Sequence, residues 1–139
     1  MKIQDLFSLE GQVALVTGGA GWIGSSISEA LAEAGARVHV ADIDAEAVEH
    51  RVANLRERGL AAEGWVGDAL TDEGARTMVD EVAGRSGRLD VLVNCAIKCR
   101  PPALDEITVE DMQFSFEAAT ACLVTAQQAV KHMRRQGGG

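Results

Sequence analysis

The chain has 139 residues, a formal net charge of −8, 47% hydrophobic residues and 24% charged residues. This length predicts one domain, residues 1–139, and this composition excludes a disordered chain. Acidic residues are spread along the sequence, which argues against nucleic acid or an anionic membrane as a partner. Because no apolar run could span a bilayer and the N-terminus lacks the features of a signal peptide, we expect a cytoplasmic protein.

The cysteines and histidines carry no sign of a special site. Cys95, Cys99 and Cys122 are odd in number and show no paired spacing, so we expect free thiols in a reducing compartment. The three histidines lie on different predicted elements, and none stands at ligand spacing from a cysteine. We therefore expect no metal site.

Short apolar runs alternate with stretches of helical periodicity. The runs predict buried strands at 13–16, 37–42, 61–66 and 89–94. A helix should follow each strand: one after the glycine-rich turn 17–24, one capped by Asp44, one capped by Thr71 and running to about Ala83, and one opened by Thr108 that reaches toward Arg135.

This alternation predicts an α/β fold, a Rossmann-type doubly wound parallel sheet with strand order 3-2-1-4. In that order the fourth strand lies at an edge, although its sequence is typical of a strand that is buried on both sides. A fifth strand should cover it, and none is written in these 139 residues. We therefore expect a domain that is truncated after about four strands.

The turn after the first strand has the composition of a phosphate-binding loop. Gly18 allows a tight turn, Gly21 lets the backbone approach a pyrophosphate, and Gly24 lets the helix pack on the strand. Trp22 and Ile23, between these glycines, belong to the same predicted site, because the free N–H groups of a helix start attract phosphate. The alternative is a purely structural turn in another parallel α/β protein.

An acidic residue, Asp42, ends the second strand and is followed by Ile43. A carboxylate there accepts hydrogen bonds from both hydroxyls of an adenosine ribose and repels a 2′-phosphate. No lysine or arginine stands in the glycine loop or directly after Asp42, so we expect NAD to be preferred over NADP. The alternative is that Asp42 is only a turn residue beside Asp44.

Three segments, 9–19, 67–72 and 89–96, resemble those of the short-chain dehydrogenase/reductase family in order and in spacing. The resemblance implies that Asp68 and Ala69 flank the adenine of the cofactor. It also implies that Asn94 and Ala96 line the adenosine ribose and steady the sheet. The alternative for Asp68 is that it merely begins the turn before the Thr71 cap.

Four positions depart from the family pattern. Trp22 stands where single-domain members usually have glycine, and the preceding Gly21 resembles instead the extended branch of nucleotide-sugar epimerases and dehydratases. The alternative for Trp22 is a packing residue at the helix start. Cys95 and Ile97 replace the second Asn and the Gly of the usual Asn-Asn-Ala-Gly turn, and bulk at Ile97 would narrow the pocket. Ala118 stands where the last helix usually carries an Asn that holds a proton-relay water.

The family's chemistry relies on a Tyr as general acid and base, a Lys four residues later and a preceding Ser. The chain contains no tyrosine, so we assign no catalytic residue. The leading hypothesis is the NAD-binding portion of an oxidoreductase that transfers hydride between NAD and an alcohol or ketone. A small-molecule substrate would bind only if a missing C-terminal segment completed the site.

Two alternatives stay open. The first is a stand-alone dinucleotide-binding protein without catalysis, which would shield its fourth strand by forming a homo-oligomer. The second is part of an extended-branch enzyme that acts on nucleotide sugars.

Overall fold

A computed structural model describes residues 6–97 and 103–139, and within them four strands alternate with four helices. In chain order they are β1 (Val13–Thr17), α1 (Trp22–Glu33), β2 (Arg37–Asp42), α2 (Ala45–Glu57), β3 (Ala62–Val66), α3 (Asp72–Ser86), β4 (Val91–Asn94) and α4 (Val109–Gln136).

All of the strand pairs are parallel, and the sheet order is β3-β2-β1-β4. This confirms the predicted fold class and strand order. Within the described residues β4 lies at one edge of the sheet and β3 at the other.

Helices cover both faces of the sheet. On one face α1 and α2 enclose a core that includes Val16, Val38 and Leu55. On the other face α3 and α4 enclose a second core that includes Leu15 and Met78. Neighbouring residues of β1 thus belong to different cores, which is why every residue of this strand is buried and the strand is apolar up to its last residue, Thr17.

Side-chain caps fix the starts of three helices. The Asp44 carboxylate accepts from the Ala47 amide, and the Thr71 hydroxyl accepts from the Gly74 amide. Thr108 caps α4 in a capping box with Asp111. These predicted starts are confirmed, whereas α3 continues to Ser86, beyond the expected end near Ala83, and stops at the left-handed Gly87.

The edge strand β4 begins two residues later than predicted because side chains occupy the backbone groups before it. The side-chain amide of Gln136, in α4, accepts from the N–H of Leu89 through its oxygen and donates to the Leu89 carbonyl through its nitrogen. The Asp90 carboxylate accepts from the Val13 amide at 2.8 Å, and Arg88 holds both of its oxygens at 2.7 Å. The Arg88 guanidinium, with the Val13 amide and Gln136, keeps the pKa of Asp90 below its usual value.

The first turn of α1 packs directly on the turn that leaves β1. A Cβ on Gly24 would lie 2.0 Å from the carbonyl oxygen of Gly18, where no atom fits. Gly18 has a φ of +61°, and a Cβ there would lie 2.8 Å from the amide nitrogen of Ala96 in the loop after β4. Glycine at both positions is therefore required to bring the turn, the helix and the loop together.

The last helix, α4, is long but amphipathic. It buries Ala118, Ala121, Val124, Thr125 and Ala129 against the rest of the domain and leaves other apolar side chains exposed. No helix in the described part of the chain has the length and apolar character to cross a membrane.

We predict that Gly24→Ala destabilises the protein by at least about 2 kcal/mol, because the added methyl group displaces backbone atoms of the turn. Gly84→Ala in α3 is the matched control. A Cβ at Gly84 meets nothing within 4 Å, so the same substitution there should stabilise the helix by about 0.5–1 kcal/mol. Urea denaturation measures both changes, and equal effects at the two positions would contradict the packing argument.

Candidate functional site

A cleft of about 450 Å³ opens at the C-terminal ends of the strands, where ligands of open parallel sheets bind. Every residue of the predicted cofactor site lines it except Asn94. The lining consists of Gly18, Gly21, Trp22, Ile23, Gly24, Asp42, Ile43, Gly67, Asp68, Ala69, Leu70, Cys95, Ala96 and Ile97. The structure thus adds Gly67 and Leu70, which the sequence had not singled out.

The N-terminus of α1 presents unpaired donors to this cleft. Gly21 is its N-cap, with extended backbone angles and no side-chain cap. The first backbone bond of the helix runs from Ser25 N–H to the Gly21 carbonyl. The amides of Trp22, Ile23 and Gly24 have no hydrogen-bond partner among the described residues. Together with the helix dipole, these three N–H groups form a site for a phosphate.

The Asp42 carboxylate is both a turn residue and part of the cleft. Its Oδ1 accepts from the Ile43 amide at 2.8 Å and the Asp44 amide at 3.3 Å. Its Oδ2 accepts from the Ala20 amide of the glycine turn at 3.3 Å. The side chain is half-buried and held in place. Its Oδ1 already accepts two hydrogen bonds, whereas Oδ2 accepts one and retains a lone pair for a ligand hydroxyl.

The segment after β3 forms the opposite wall. Asp68 Oδ1 accepts from the Leu70 amide at 2.9 Å, and the Asp68 carbonyl accepts from the Thr71 hydroxyl at 3.1 Å. Asp68 therefore does begin the turn before the Thr71 cap, and it also lines the cleft. Gly67 is required here, since a Cβ would lie 2.4 Å from the indole ring of Trp65.

The Thr17 hydroxyl fixes the loop that follows β4. It accepts from the Cys95 amide at 3.1 Å and from the Ala96 amide at 3.2 Å. Thr17 is not among the site residues predicted from the sequence. A hydroxyl at a strand end, directly before the glycine turn, is nevertheless a signal for a role in positioning the site. Through this contact β1 sets the position of Ala96 in the cleft.

Asn94 lies outside the cleft. Its Oδ1 accepts from the Thr125 hydroxyl at 2.8 Å, and its Nδ2 donates to the Cys122 carbonyl at 3.5 Å. The side-chain amide thus links β4 to α4, and the contact of Asn94 with the adenosine ribose stays a prediction. Nearby, burial and the neighbouring Cys122 raise the pKa of the Cys95 thiol, so this thiol stays protonated at neutral pH.

Ile97 and Ala118, the two remaining positions that depart from the family pattern, lie within the described residues. Cys99 falls outside them. Ile97 lines the cleft, and Ala118 is buried against the sheet with 6% of its surface exposed. A buried methyl group at residue 118 offers nothing to hold a water molecule. Cys95 and Cys122 are free thiols, in agreement with the sequence.

Among the described residues, the lining of the cleft carries two carboxylates, Asp42 and Asp68, and no lysine or arginine. Arg51 lies behind the first turn of α1, where it donates to the Ser25 carbonyl and forms an ion pair with Glu29 at 2.8 Å. Arg51 and Arg58 lower the pKa of Glu29, so this pair stays charged and neutralises the Arg51 guanidinium. Within the described part of the chain, attraction for an anion therefore comes from the helix amides.

Comparison with known proteins agrees with this geometry. The chain is 36% identical over 134 residues to a D-threitol dehydrogenase of Mycolicibacterium smegmatis, which covers 96% of this chain and 52% of the relative. A 7α-hydroxysteroid dehydrogenase solved with NADH and 7-oxo glycochenodeoxycholic acid superposes with a TM-score of 0.90 at 28% identity, over 100% of this chain and 55% of that one.

A second solved structure, the Pseudomonas aeruginosa RhlG/NADP active-site complex, superposes with a TM-score of 0.84 at 35% identity, over 93% of this chain and 50% of that one. The chain spans about half the length of the curated relatives it matches. The family described as short chain dehydrogenase matches residues 12–139. The chain therefore belongs to the short-chain dehydrogenase family.

Proposed function

We propose that this chain binds NAD as the dinucleotide-binding portion of an oxidoreductase that transfers hydride between NAD and an alcohol or ketone. The observation that carries the proposal is one cleft that holds both the free amides of α1 and the fixed carboxylate of Asp42. The amides suit the diphosphate, and the carboxylate suits the two ribose hydroxyls of the adenosine. Asp68 and Ala69 form the wall where the adenine would lie.

We assign none of the 139 residues as an acid or base for the hydride transfer. The chain has no tyrosine, and those residues of the cleft lining that the structure describes include no histidine or lysine that could replace one. In the whole enzyme these groups and the substrate contacts would come from further segments. Such segments would also supply much of the nicotinamide half of the pocket.

We therefore predict that the chain binds ADP-ribose about as well as NAD, since both share the adenosine, the diphosphate and one ribose. Isothermal titration calorimetry of each ligand measures the two dissociation constants. A preference for NAD of tenfold or more, about 1.4 kcal/mol, would show that these residues already form the nicotinamide half. If neither ligand bound, the proposed function itself would be wrong.

The preference for NAD over NADP is part of the same proposal. Related structures hold either cofactor, NADH in the hydroxysteroid dehydrogenase and NADP in the RhlG complex. In this chain a 2′-phosphate would approach the Asp42 carboxylate in a cleft whose described lining has no cationic side chain. Repulsion between these anions supports discrimination against NADP.

We predict that Asp42→Asn shifts the ratio of NAD to NADP affinity by at least about tenfold toward NADP. The amide side chain keeps an acceptor for the Ile43 N–H but removes the negative charge. Asp44→Asn is the matched control, because it removes the same charge two residues away and asparagine still caps α2. Titration calorimetry with both cofactors reports the ratio, and an equal shift in the two variants would contradict a specific role for Asp42.

The alternative of a stand-alone binding protein is supported by the missing tyrosine and by the buried Ala118. The nucleotide-sugar alternative is supported by Gly21 and Trp22 alone. Sequencing the gene beyond codon 139 distinguishes them. An in-frame Tyr-x-x-x-Lys supports the oxidoreductase, and an immediate stop supports the binding protein. Tight nucleotide-sugar binding by the complete protein supports the nucleotide-sugar enzyme.

The proposal also includes a cytoplasmic location, because free thiols such as Cys95 and Cys122 persist in that compartment.

We also propose that the protein forms a homo-oligomer through α4. Val109, Phe116, Leu123 and Val130 recur every seven residues along this helix and are all exposed. Acidic residues stand near its N-terminal end, and Lys131, Arg134 and Arg135 near its C-terminal end. An antiparallel pair of α4 helices would bury the apolar stripe and place each acidic end beside a basic end.

We predict that Leu123→Glu dissociates this oligomer, because it places a carboxylate at the centre of an antiparallel contact. Leu104→Glu is the matched control, since Leu104 is 89% exposed and lies outside α4. Sedimentation velocity measures the mass of both variants and of the wild type. A monomeric wild type, or an oligomer that survives Leu123→Glu, would contradict the α4 interface.

A further inference from the structure

Two bulky apolar side chains border the cleft, one at the start of α1 and one in the loop after β4, at positions where the family pattern has glycine. Trp22 begins α1, and Ile97 follows β4. Both line the cleft, yet 94% of Trp22 and 73% of Ile97 are exposed. Trp22 is therefore not a packing residue of the domain, because it has almost no contact with the rest of the protein.

The backbones that carry these side chains are rigidly joined. The Gly18 turn and the Ala96 backbone are in such close contact that no Cβ fits between them, and the Thr17 hydroxyl holds the Ala96 amide. The Trp22 carbonyl accepts from the Ser25 hydroxyl at 3.0 Å, which fixes the first turn of α1. The backbone positions of Trp22 and Ile97 are thus fixed relative to each other, while the two side chains are free to rotate.

We propose that Trp22 and Ile97 form an apolar clamp that closes on the diphosphate and the second ribose of the bound dinucleotide. This inference rests on the proposed function. The adenosine end of the ligand is assigned to Asp42 and Asp68, and the phosphates to the amides next to Trp22. The indole therefore lies beside the diphosphate, and Ile97 faces it from the loop after β4.

Closure over the ligand removes apolar surface from water, which makes the clamp favourable for binding. In the free protein Trp22 is almost fully hydrated, so burying even part of its large ring contributes affinity. The indole N–H is a donor with no partner in the described residues, and the negatively charged phosphate oxygens are strong acceptors for it. Glycine at these positions would supply neither contact.

The clamp can be tested by affinity with two ligands of different length. We expect Trp22→Ala to weaken ADP-ribose binding at least about fivefold and AMP binding less than about twofold, because AMP ends at its first phosphate. Ile97→Ala should weaken ADP-ribose in the same selective way. Trp22→Phe, which keeps an aromatic ring, should retain most of the ADP-ribose affinity.

Tryptophan fluorescence provides a second and independent readout. The chain has two tryptophans, and the other, Trp65, is buried with its Nε1 donating to Glu81. Saturating ADP-ribose should therefore shift the emission of exposed Trp22 to shorter wavelength, and Trp22→Phe should abolish the shift. Far-ultraviolet circular dichroism verifies that each variant is folded.

The outcomes separate the clamp from the function on which it rests. If wild-type protein binds neither ADP-ribose nor AMP, the proposed function fails and the clamp fails with it. If ADP-ribose binds without an emission shift and with unchanged affinity in Trp22→Ala, only the clamp is overturned. Tighter binding by Trp22→Ala would also overturn it, because the indole would then obstruct the cleft.

Discussion

The site depends on one steric constraint, the contact between the first turn of α1 and the turn that leaves β1. Gly24 approaches the Gly18 carbonyl so closely that no side chain fits, and a Cβ on Gly18 would lie 2.8 Å from the Ala96 amide nitrogen. These contacts bring a helix N-terminus, a strand end and the loop after β4 to one point. The free amides of α1 open into the cleft as a direct result. The binding geometry is therefore a consequence of backbone packing, and side chains only refine it.

The sequence predicted those parts of the structure that short segments specify by themselves. Apolar runs gave the four strands, and caps such as Asp44 and Thr108 gave the helix starts, because each cap bonds an amide three residues away. The glycine turn could be assigned a function because a buried strand precedes it and an amphipathic helix follows it. The parallel order β3-β2-β1-β4 followed from the alternation of strand and helix, since right-handed crossovers leave few topologies.

Features that depend on distant partners were not predictable in this way. Asn94 turns to Thr125 of α4, and β4 begins late because Gln136, at the far end of the same helix, binds the backbone of Leu89. The role of Thr17 arises from the loop of Ala96, almost eighty residues along the chain. No local pattern records which residue of α4 will reach β4. The exposure of Trp22 was likewise unpredictable, because a large apolar side chain at a helix start is compatible with packing or with solvent.

The electrostatics of the cleft link affinity to selectivity. The chain carries a net charge of −8, and the described lining of its cleft contains two carboxylates and no lysine or arginine, so within the described residues backbone dipoles supply the attraction for a diphosphate. A cation beside the phosphates would strengthen binding, but it would also neutralise Asp42 and weaken the repulsion of a 2′-phosphate. The backbone dipoles do not neutralise Asp42 in this way, because the amides of α1 act over a few ångströms at one end of the cleft. Under the proposed NAD preference, a described lining without a cation would therefore limit affinity for the anionic part of the ligand and leave the Asp42 carboxylate unneutralised to repel a 2′-phosphate.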